Sequence, residues 1–257
     1  MRTLSRICVT PVKGMALHHP EEVWLGTAGI VEDRRFYLVD TSGELFSGSN
    51  LGTLVQIVPH YDPSRESLTL TFPDGVEVAG AVDELGPPQR TNFYGRPVPA
   101  HEVAGGFSEV ISAFVGREVT LLRCDRDGDG ADVEPLTVVS QASVRDLAKR
   151  GRANRDIDSR RFRINLEIEG CEPYDEDAWE GDRVQVGDAV LRVVGQIPRC
   201  VVTTQSPATG IKDWDTLTQI AKYRPRIRGD GGLPFGVYAR VESPARVHRG
   251  SAVVPLG

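Results

Sequence analysis

The feature that most limits what this chain can fold into is its punctuation. Short apolar runs are bounded repeatedly by Gly, Pro, Asn and Ser clusters, with 27 Gly and 17 Pro in 257 residues, and such runs read as strands joined by turns. From Met1 to about Cys124 the strand-like runs include Val31–Asp40, Leu54–His60 and Arg117–Cys124. In the clearest hairpin, Leu68, Leu70 and Phe72 alternate with polar residues, Asp74-Gly75 offers a positive-φ turn, and Val76 and Val78 begin the return strand. One helix interrupts: Phe107, Val110, Ile111, Phe114 and Val115 fall at helical spacing, with Ser108 placed to cap the start and Gly116 to end it. This half reads as a β-barrel or sandwich with the helix over one end of the sheet.

Composition shifts at Cys124–Glu134, which is rich in Asp and Gly, and the domain boundary is drawn there: residues 1–124 and 125–257. The same stretch invites a calcium reading, with Asp125, Asp127 and Asp129 as carboxylates and Gly130 at the turn. The twelfth loop position is Leu136, however, where a bidentate Glu is needed, so a solvated loop is the simpler reading. Beyond the boundary, Ser140 caps a short amphipathic helix carrying Val144, Leu147 and Ala148 to about Arg150. Strand-like runs follow at Phe162–Ile168, Arg183–Val186, Ala189–Val194, Val201–Thr204, Val237–Glu242 and Ala252–Val254, with Gly187-Asp188 at a tight turn and a helical pattern over Trp214–Tyr223. The chain is therefore a mixed, β-rich α+β protein of two β-rich halves.

Net charge is −6, from 30 basic against 36 acidic residues, so the molecule as a whole does not suit a polyanion, and its few scattered aromatics make no RNA stacking platform. No run approaches 18 apolar residues and Met1–Pro11 lacks a signal-peptide layout, which places the chain in the cytoplasm and off the membrane. Charge is nevertheless uneven. Arg145–Arg163 holds eight basic residues, Arg155 among them, against three acids; Lys222, Arg224, Arg226 and Arg228 form a second group; Glu172–Asp182 between them carries six carboxylates. Clustered Arg suits a discrete phosphorylated ligand, and equally a solvated face. The cysteines, Cys8, Cys124, Cys171 and Cys200, are 116, 47 and 29 residues apart, which gives no CxxC and no zinc-knuckle spacing. Cys200 follows a strand and sits beside Arg199, whose guanidinium favours the nucleophilic, metal-binding thiolate; the other three read as packed thiols. No HExxH, GxSxG, P-loop or GxGxxG-plus-acid pattern is present.

Several segments together bring a family into view. Ile7-Cys-Val-Thr-Pro-Val-Lys-Gly14 and Glu32-Asp-Arg-Arg-Phe-Tyr-Leu-Val-Asp40 resemble the N-terminal β-barrel domain that accompanies MOSC domains. Ser140-Gln-Ala-Ser-Val-Arg-Asp-Leu147, Arg161-Phe-Arg-Ile-Asn165, Tyr174-Asp-Glu-Asp-Ala-Trp179, Gly187-Asp188, Pro198-Arg-Cys-Val-Val-Thr-Thr204, Pro207-Ala-Thr-Gly210 and Leu233-Pro-Phe-Gly236 resemble the MOSC domain itself. The resemblance runs in order over nearly the whole chain and is to the amidoxime-reducing type. It implies a molybdenum enzyme that holds a molybdopterin-based cofactor and reduces N-hydroxylated small molecules.

On that resemblance Cys200 is the molybdenum ligand and catalytic centre, and the cofactor is met by Lys13, Gly14, Arg35, Ser143, Arg163, Asn165, Pro198 and Arg199. Gly14 stands where relatives often have a small hydroxyl residue, Ile164 replaces a common Pro, and Pro198 replaces a common Ser and removes an N–H. Pyridoxal phosphate binding is a further family-level association. The scattered cysteines supply no plant-type iron–sulfur motif, so the electrons are expected from an external donor: a ferredoxin, a flavodoxin or a cytochrome-and-reductase system. The proton donor is not named by the sequence; the Asp and Glu of Tyr174–Asp182 are candidates, with an ion-paired surface loop as the plainer reading. Two rivals stand beside this reading. One is a sulfur carrier with a persulfide on Cys200, and the other a non-enzymatic module whose Arg cluster docks an acidic partner.

Overall fold

The computed structural model describes residues 1–152, 156–228 and 231–257. Arg155 of the basic run lies outside them. A seven-stranded sheet dominates the second half, in the spatial order Thr3–Ile7, Leu166–Glu169, Leu136–Ser140, Leu233–Ser243, Ala189–Arg199, Arg183–Val186, Val253–Pro255. Its two ends meet: Thr3 bridges Ala252, Leu4 N–H donates to Ser251 O at 2.8 Å and Val253 N–H to Arg2 O at 3.0 Å, so the sheet nearly closes into a barrel. Alternate residues of its strands face inward, as at Ala189, Leu191 and Val193, and share one core with Leu4, Ile7 and Leu136. Leu136–Ser140 and Leu166–Glu169 run parallel, and the Gln141–Arg150 helix makes the crossover that a parallel pair requires.

In the first half a five-stranded sheet, ordered Leu45–Phe46, Phe36–Asp40, Val119–Cys124, Arg96–Val103, Leu85–Phe93, faces a meander of Val58–Asp62, Ser67–Thr71 and Glu77–Ala81. Phe36 and Leu38 point into the core between them, while Tyr37 and Val39 fill a second apolar cluster on the other face, which explains an almost wholly apolar strand. The β-rich, barrel-bearing architecture with few helices agrees with the patterning of the sequence. The halves are interleaved, however. Thr3–Ile7 belongs to the barrel of the second half, and Glu22–Gly26 pairs with Ala245–His248.

Local departures have local causes. The Phe107–Val115 helix is capped by Gly106 in the left-handed region (φ 80°), because the Ser108 hydroxyl is taken by Leu121 N–H at 3.0 Å. Phe36–Asp40 is strand, but Glu32-Asp-Arg-Arg35 is a turn with Arg34 at φ 52°. Gly52–Gln56 forms a 3₁₀ turn where the sequence suggests strand, and Gly52 presses on Gly210 so closely that a Cβ would stand 2.0 Å from its carbonyl oxygen. Val201–Thr204 is likewise a 3₁₀ turn, since the Thr203 and Thr204 hydroxyls donate back to Cys200 O and Val201 O and so draw the backbone out of the ladder.

Because Leu4 is fully buried on a strand that completes the other half's barrel, Leu4→Ala is expected to cost about 2–5 kcal/mol. Urea unfolding followed by tryptophan fluorescence in a Trp24→Phe background, where Trp179 and Trp214 report the second half, measures this. A loss confined to first-half probes would contradict the interleaving.

Candidate functional site

The barrel's longest pair of strands delivers the site. Ala189–Arg199 pairs with Leu233–Ser243 and slips register between Gln196 and Pro198, where Pro198 has no N–H to give the ladder. The strand ends at Arg199, and Cys200 opens into a cavity between the two halves. Cys200 is exposed, whereas Cys8 and Cys124 are buried and Cys171 partly so. Burial pushes the Cys124 thiol up to about 12 and that of Cys171 to about 11, and pushes Cys8 higher still. Cys200 therefore combines access with a cavity.

Arg161 fixes the turn that follows Cys200. Its Nη1 donates to Thr203 O at 3.0 Å and its Nη2 to Asp213 at 3.1 Å, while Thr203 Oγ1 donates to Cys200 O at 3.0 Å. Arg199 donates from Nε to Phe235 O at 2.7 Å and from Nη1 to Phe162 O at 3.0 Å; its buried Nη2 has no hydrogen-bond partner among the described residues. Arg163 donates to Met15 O at 2.7 Å, and Arg34 pairs with Asp33 and donates to Arg163 O at 2.9 Å. Buried Lys13 donates to Asp132 at 2.5 Å and to Gly130 O at 3.1 Å. Among the described residues neither Arg163 nor Arg199 has a carboxylate within ion-pair distance. Burial draws both down to about 10, helped at Arg163 by Arg34, yet both stay charged at neutral pH. Burial also lowers Lys13; it opposes ionisation of Asp132 too, but there Lys13, Arg34 and Arg163 outweigh it and hold the carboxyl below its ordinary range.

Of the residues expected to meet a cofactor, Lys13, Gly14, Arg163, Asn165, Pro198, Arg199 and Cys200 line this cavity together. Arg35 and Ser143 do not. Arg35 points away to Asp127 at 2.7 Å and its neighbour Arg34 takes the place at the cavity, because the positive φ of Arg34 reverses the side-chain order. Ser143 is buried under the helix, donating to Glu176 Oε1 at 2.7 Å and accepting from Tyr174 N–H at 2.8 Å. Asn165 forms wall and little else: its amide donates to Cys8 O and Asp33 Oδ2 and accepts from Thr137.

The Asp/Gly stretch is a solvated loop, as the sequence suggests, with Asp125, Asp127 and Asp132 exposed, and it is also anchored to the fold. Asp125 meets His101, Asp127 meets Arg35, Asp132 meets Lys13, and Gly130 packs so near Arg34 O that a Cβ would stand 1.9 Å away. Its carboxylates are spread over separate cations, and among the described residues no group of three metal-ligating side chains converges. Part of the basic surplus is tied up in local ion pairs. Arg145, Arg150 and Arg160 pair with Glu169, Asp146 and Asp158, and among the described residues of the run Arg161 and Arg163 reach the cavity. None of the Tyr174–Asp182 carboxylates lines it; Asp175 and Asp177 pair with Arg2 and Arg224. The sequence reading missed Arg34, Tyr94 and Asp132. A signal lies in the backbone instead: of the six non-glycine residues at positive φ among the described residues, three, Arg34, Tyr94 and Arg163, line this one cavity.

Fold and site together define a class: two β-rich units that share a cationic cavity with one open thiol. Family models place the particular lineage, with the MOSC N-terminal beta barrel domain matching residues 1–117 and the MOSC domain residues 125–254. The chain belongs to the MOSC-domain family. It is 37% identical over 284 aligned positions to mitochondrial amidoxime-reducing component 1 of Mus musculus, covering 99% of this chain and 82% of that protein. The molybdenum cofactor sulfurase of Oryza sativa subsp. japonica is 24% identical over 93% of this chain, which spans 32% of that longer protein. Among solved structures, the YuaD protein of Bacillus subtilis aligns over 98% of this chain and 96% of its own at 12% identity, with a TM-score of 0.46. Among the described residues no helix is long and apolar enough to cross a membrane.

Two outcomes are expected. Ellman titration of a Cys171→Ala variant modifies one thiol rapidly, and adding Cys200→Ser abolishes that phase; a second fast thiol in that variant would contradict the burial of Cys8 and Cys124. Unfolded Cys124 ionises near its ordinary 9.0 but folded Cys124 only near 12, so the unfolded state sheds its proton first and stability falls as pH rises through that window. Cys124→Ala is expected to flatten the loss of stability above pH 9, as followed by urea midpoints.

Proposed function

We propose that this chain binds the molybdenum cofactor and acts as a molybdenum-dependent oxidoreductase on N-hydroxylated compounds of the amidoxime and hydroxylamine type. The observation that carries the reading is that exposed Cys200 shares one cavity with Arg163 and Arg199, two guanidiniums without carboxylate partners. These residues fit the group. A thiolate suits a chalcophilic metal, guanidinium forks suit a phosphate, and the buried Arg199 Nη2 is a donor that lacks an acceptor among the described residues. Cys200 would hold the metal, and Arg163 and Arg199 the anionic part, with Gly14, Asn165 and Pro198 forming wall.

When bound, the cofactor supplies a two-electron redox centre. The chain's own residues position and charge the site. Arg161 holds the Cys200 turn, the Arg34–Arg163 clasp joins the halves, and the strap bearing Asp132 sets the counter-charge on Lys13. Electrons are taken from a separate carrier of ferredoxin, flavodoxin or cytochrome type, in the cytoplasm. The likeness to mitochondrial amidoxime-reducing component 1 of mouse supports this choice of substrate. The likeness to a sulfurase favours a second reading, sulfur transfer through a Cys200 persulfide. Pyridoxal phosphate finds no free amine here, since Lys13, the one lysine of the cavity wall, is engaged by Asp132 and Gly130.

Wild type and Cys200→Ser from a host that makes the molybdenum cofactor are expected to differ in Mo by mass spectrometry, with near-stoichiometric Mo and pterin in wild type. Arg199→Ala is expected to weaken pterin retention about tenfold or more, the worth of a charge-assisted hydrogen bond at ~1.5–3 kcal/mol. Absence of both Mo and pterin from folded wild type overturns the proposal, and cyanide-labile sulfur on Cys200 would then favour sulfur transfer.

A further inference from the structure

The basic group Lys222, Arg224, Arg226 and Arg228 takes no part in the cavity that Cys200 lines. Arg224 is spent within the fold, paired with Asp177 and laid over the Tyr174 ring at 4.6 Å. Lys222, Arg226 and Arg228 are exposed, and among the described residues none of the three has a carboxylate within ion-pair distance. The helix Gln141–Arg150 adds exposed Lys149 and Arg150, the latter over the face of Tyr223 at 4.8 Å. The acids beside them, Asp146 and Asp177, are held by Arg150 and Arg224. A cationic surplus therefore flanks Tyr223 on a chain whose net charge is −6, so this face attracts an acidic partner that the molecule as a whole repels.

From that face a run of packed rings leads inward. Tyr223 is partly exposed; its ring lies 6.0 Å from that of Tyr174, and the two hydroxyls are 2.8 Å apart. Tyr174 stands edge-on to Phe235 at 6.3 Å, and Phe235 stacks on Phe162 at 4.4 Å with 23° between the ring planes. Phe162 is a wall of the cavity, under the Arg199 guanidinium at 5.7 Å, and Arg199 adjoins Cys200. All four rings belong to one apolar cluster, and close-packed atoms span such a distance without the gaps that impede electron tunnelling. Strand pairing brings the basic loop to the same end of the barrel, since Leu233, soon after it in the chain, pairs with Arg199.

We propose that the face around Tyr223, with Lys149, Arg150, Lys222 and Arg226, is the docking surface for an acidic one-electron carrier protein that delivers electrons toward the Cys200 cavity; the inference rests on the oxidoreductase reading. In balance, each N–O bond of R–NHOH that breaks oxidises two carrier molecules by one electron apiece, two protons are taken up, and R–NH₂ and water leave. The rings form a packed path and are themselves neither oxidised nor reduced.

The test titrates the cofactor-free chain calorimetrically, at low ionic strength, with an acidic [2Fe–2S] ferredoxin and with an acidic b-type cytochrome. At least one is expected to bind, and to bind Lys222→Glu/Arg226→Glu about tenfold or more weakly, with added salt weakening the wild-type complex. Exposed Arg90 and Arg183 lie elsewhere on the surface, so the charge-matched Arg90→Glu/Arg183→Glu is expected to stay within about threefold of wild type, as is the charge-keeping Lys222→Arg/Arg226→Lys. In the cofactor-loaded chain, with an aromatic amidoxime as probe, the reversed pair is expected to raise KM for the carrier about tenfold while turnover driven by reduced viologen stays within about twofold of wild type. Binding by neither carrier, equal losses in the reversed pair and its charge-matched control, or carrier-driven turnover indifferent to the reversed pair overturns this inference alone. Mo and pterin missing from folded wild type overturn the function it rests on, and with it the role of the docked protein as electron donor.

Discussion

Keeping several positive charges ionised inside one cavity is the constraint around which this molecule is arranged. Lys13, Arg34, Arg163 and Arg199 converge there, and burial works against the charge on each. The protein answers with unequal compensation. Arg34 and Lys13 receive carboxylates, from Asp33 and Asp132, whereas Arg163 and Arg199 are held mostly by carbonyl oxygens. Carbonyls orient a guanidinium without neutralising it. The two residues that are oriented but not neutralised are the ones best suited to an incoming anion, and Cys200 adjoins one of them.

Holding that cluster requires both halves of the chain at once. Lys13 and Arg34 come from the first half, Arg163 and Arg199 from the second, and the clasp from Arg34 to Arg163 O crosses between them. The interleaved strands serve the same end. With Thr3–Ile7 built into the second barrel and Glu22–Gly26 paired to Ala245–His248, the segment carrying Lys13 is tied at both sides to the unit that carries Cys200. A cavity built this way changes shape little, because moving one wall breaks a barrel and not a loop. The strained backbones of Arg34, Tyr94 and Arg163 persist for the same reason: the surrounding structure determines them more strongly than their own preferences do.

Much of the fold was legible in residue pattern. The Leu68–Leu70–Phe72 alternation and Gly75 specify their hairpin, Ser140 caps its helix, and Gly187 turns between two barrel strands. The failures share a cause. Ser108 and the Val201–Thr204 run were misread because hydroxyls spent on distant or back-reaching partners look the same in sequence as hydroxyls free to cap or strands free to pair. The expected Leu54–His60 strand holds at Val58–His60 and gives way to a 3₁₀ turn at Leu54–Gln56, beside Gly52, which packs on Gly210 from far along the chain.

The sequence by itself determined the β-rich class, the family, and the choice of Cys200 among four thiols, since each follows from local pattern and nearest neighbours. It also named seven residues of the cavity wall. Only the tertiary structure decided that Arg34 and not Arg35 enters the cavity, that Ser143 is sealed beneath its helix, that the Asp/Gly strap folds onto Lys13, and that Tyr94 hangs over the opening. Those outcomes depend on backbone φ values and on contacts across the whole chain. A residue's direction is set by what packs around it, and that information is not local.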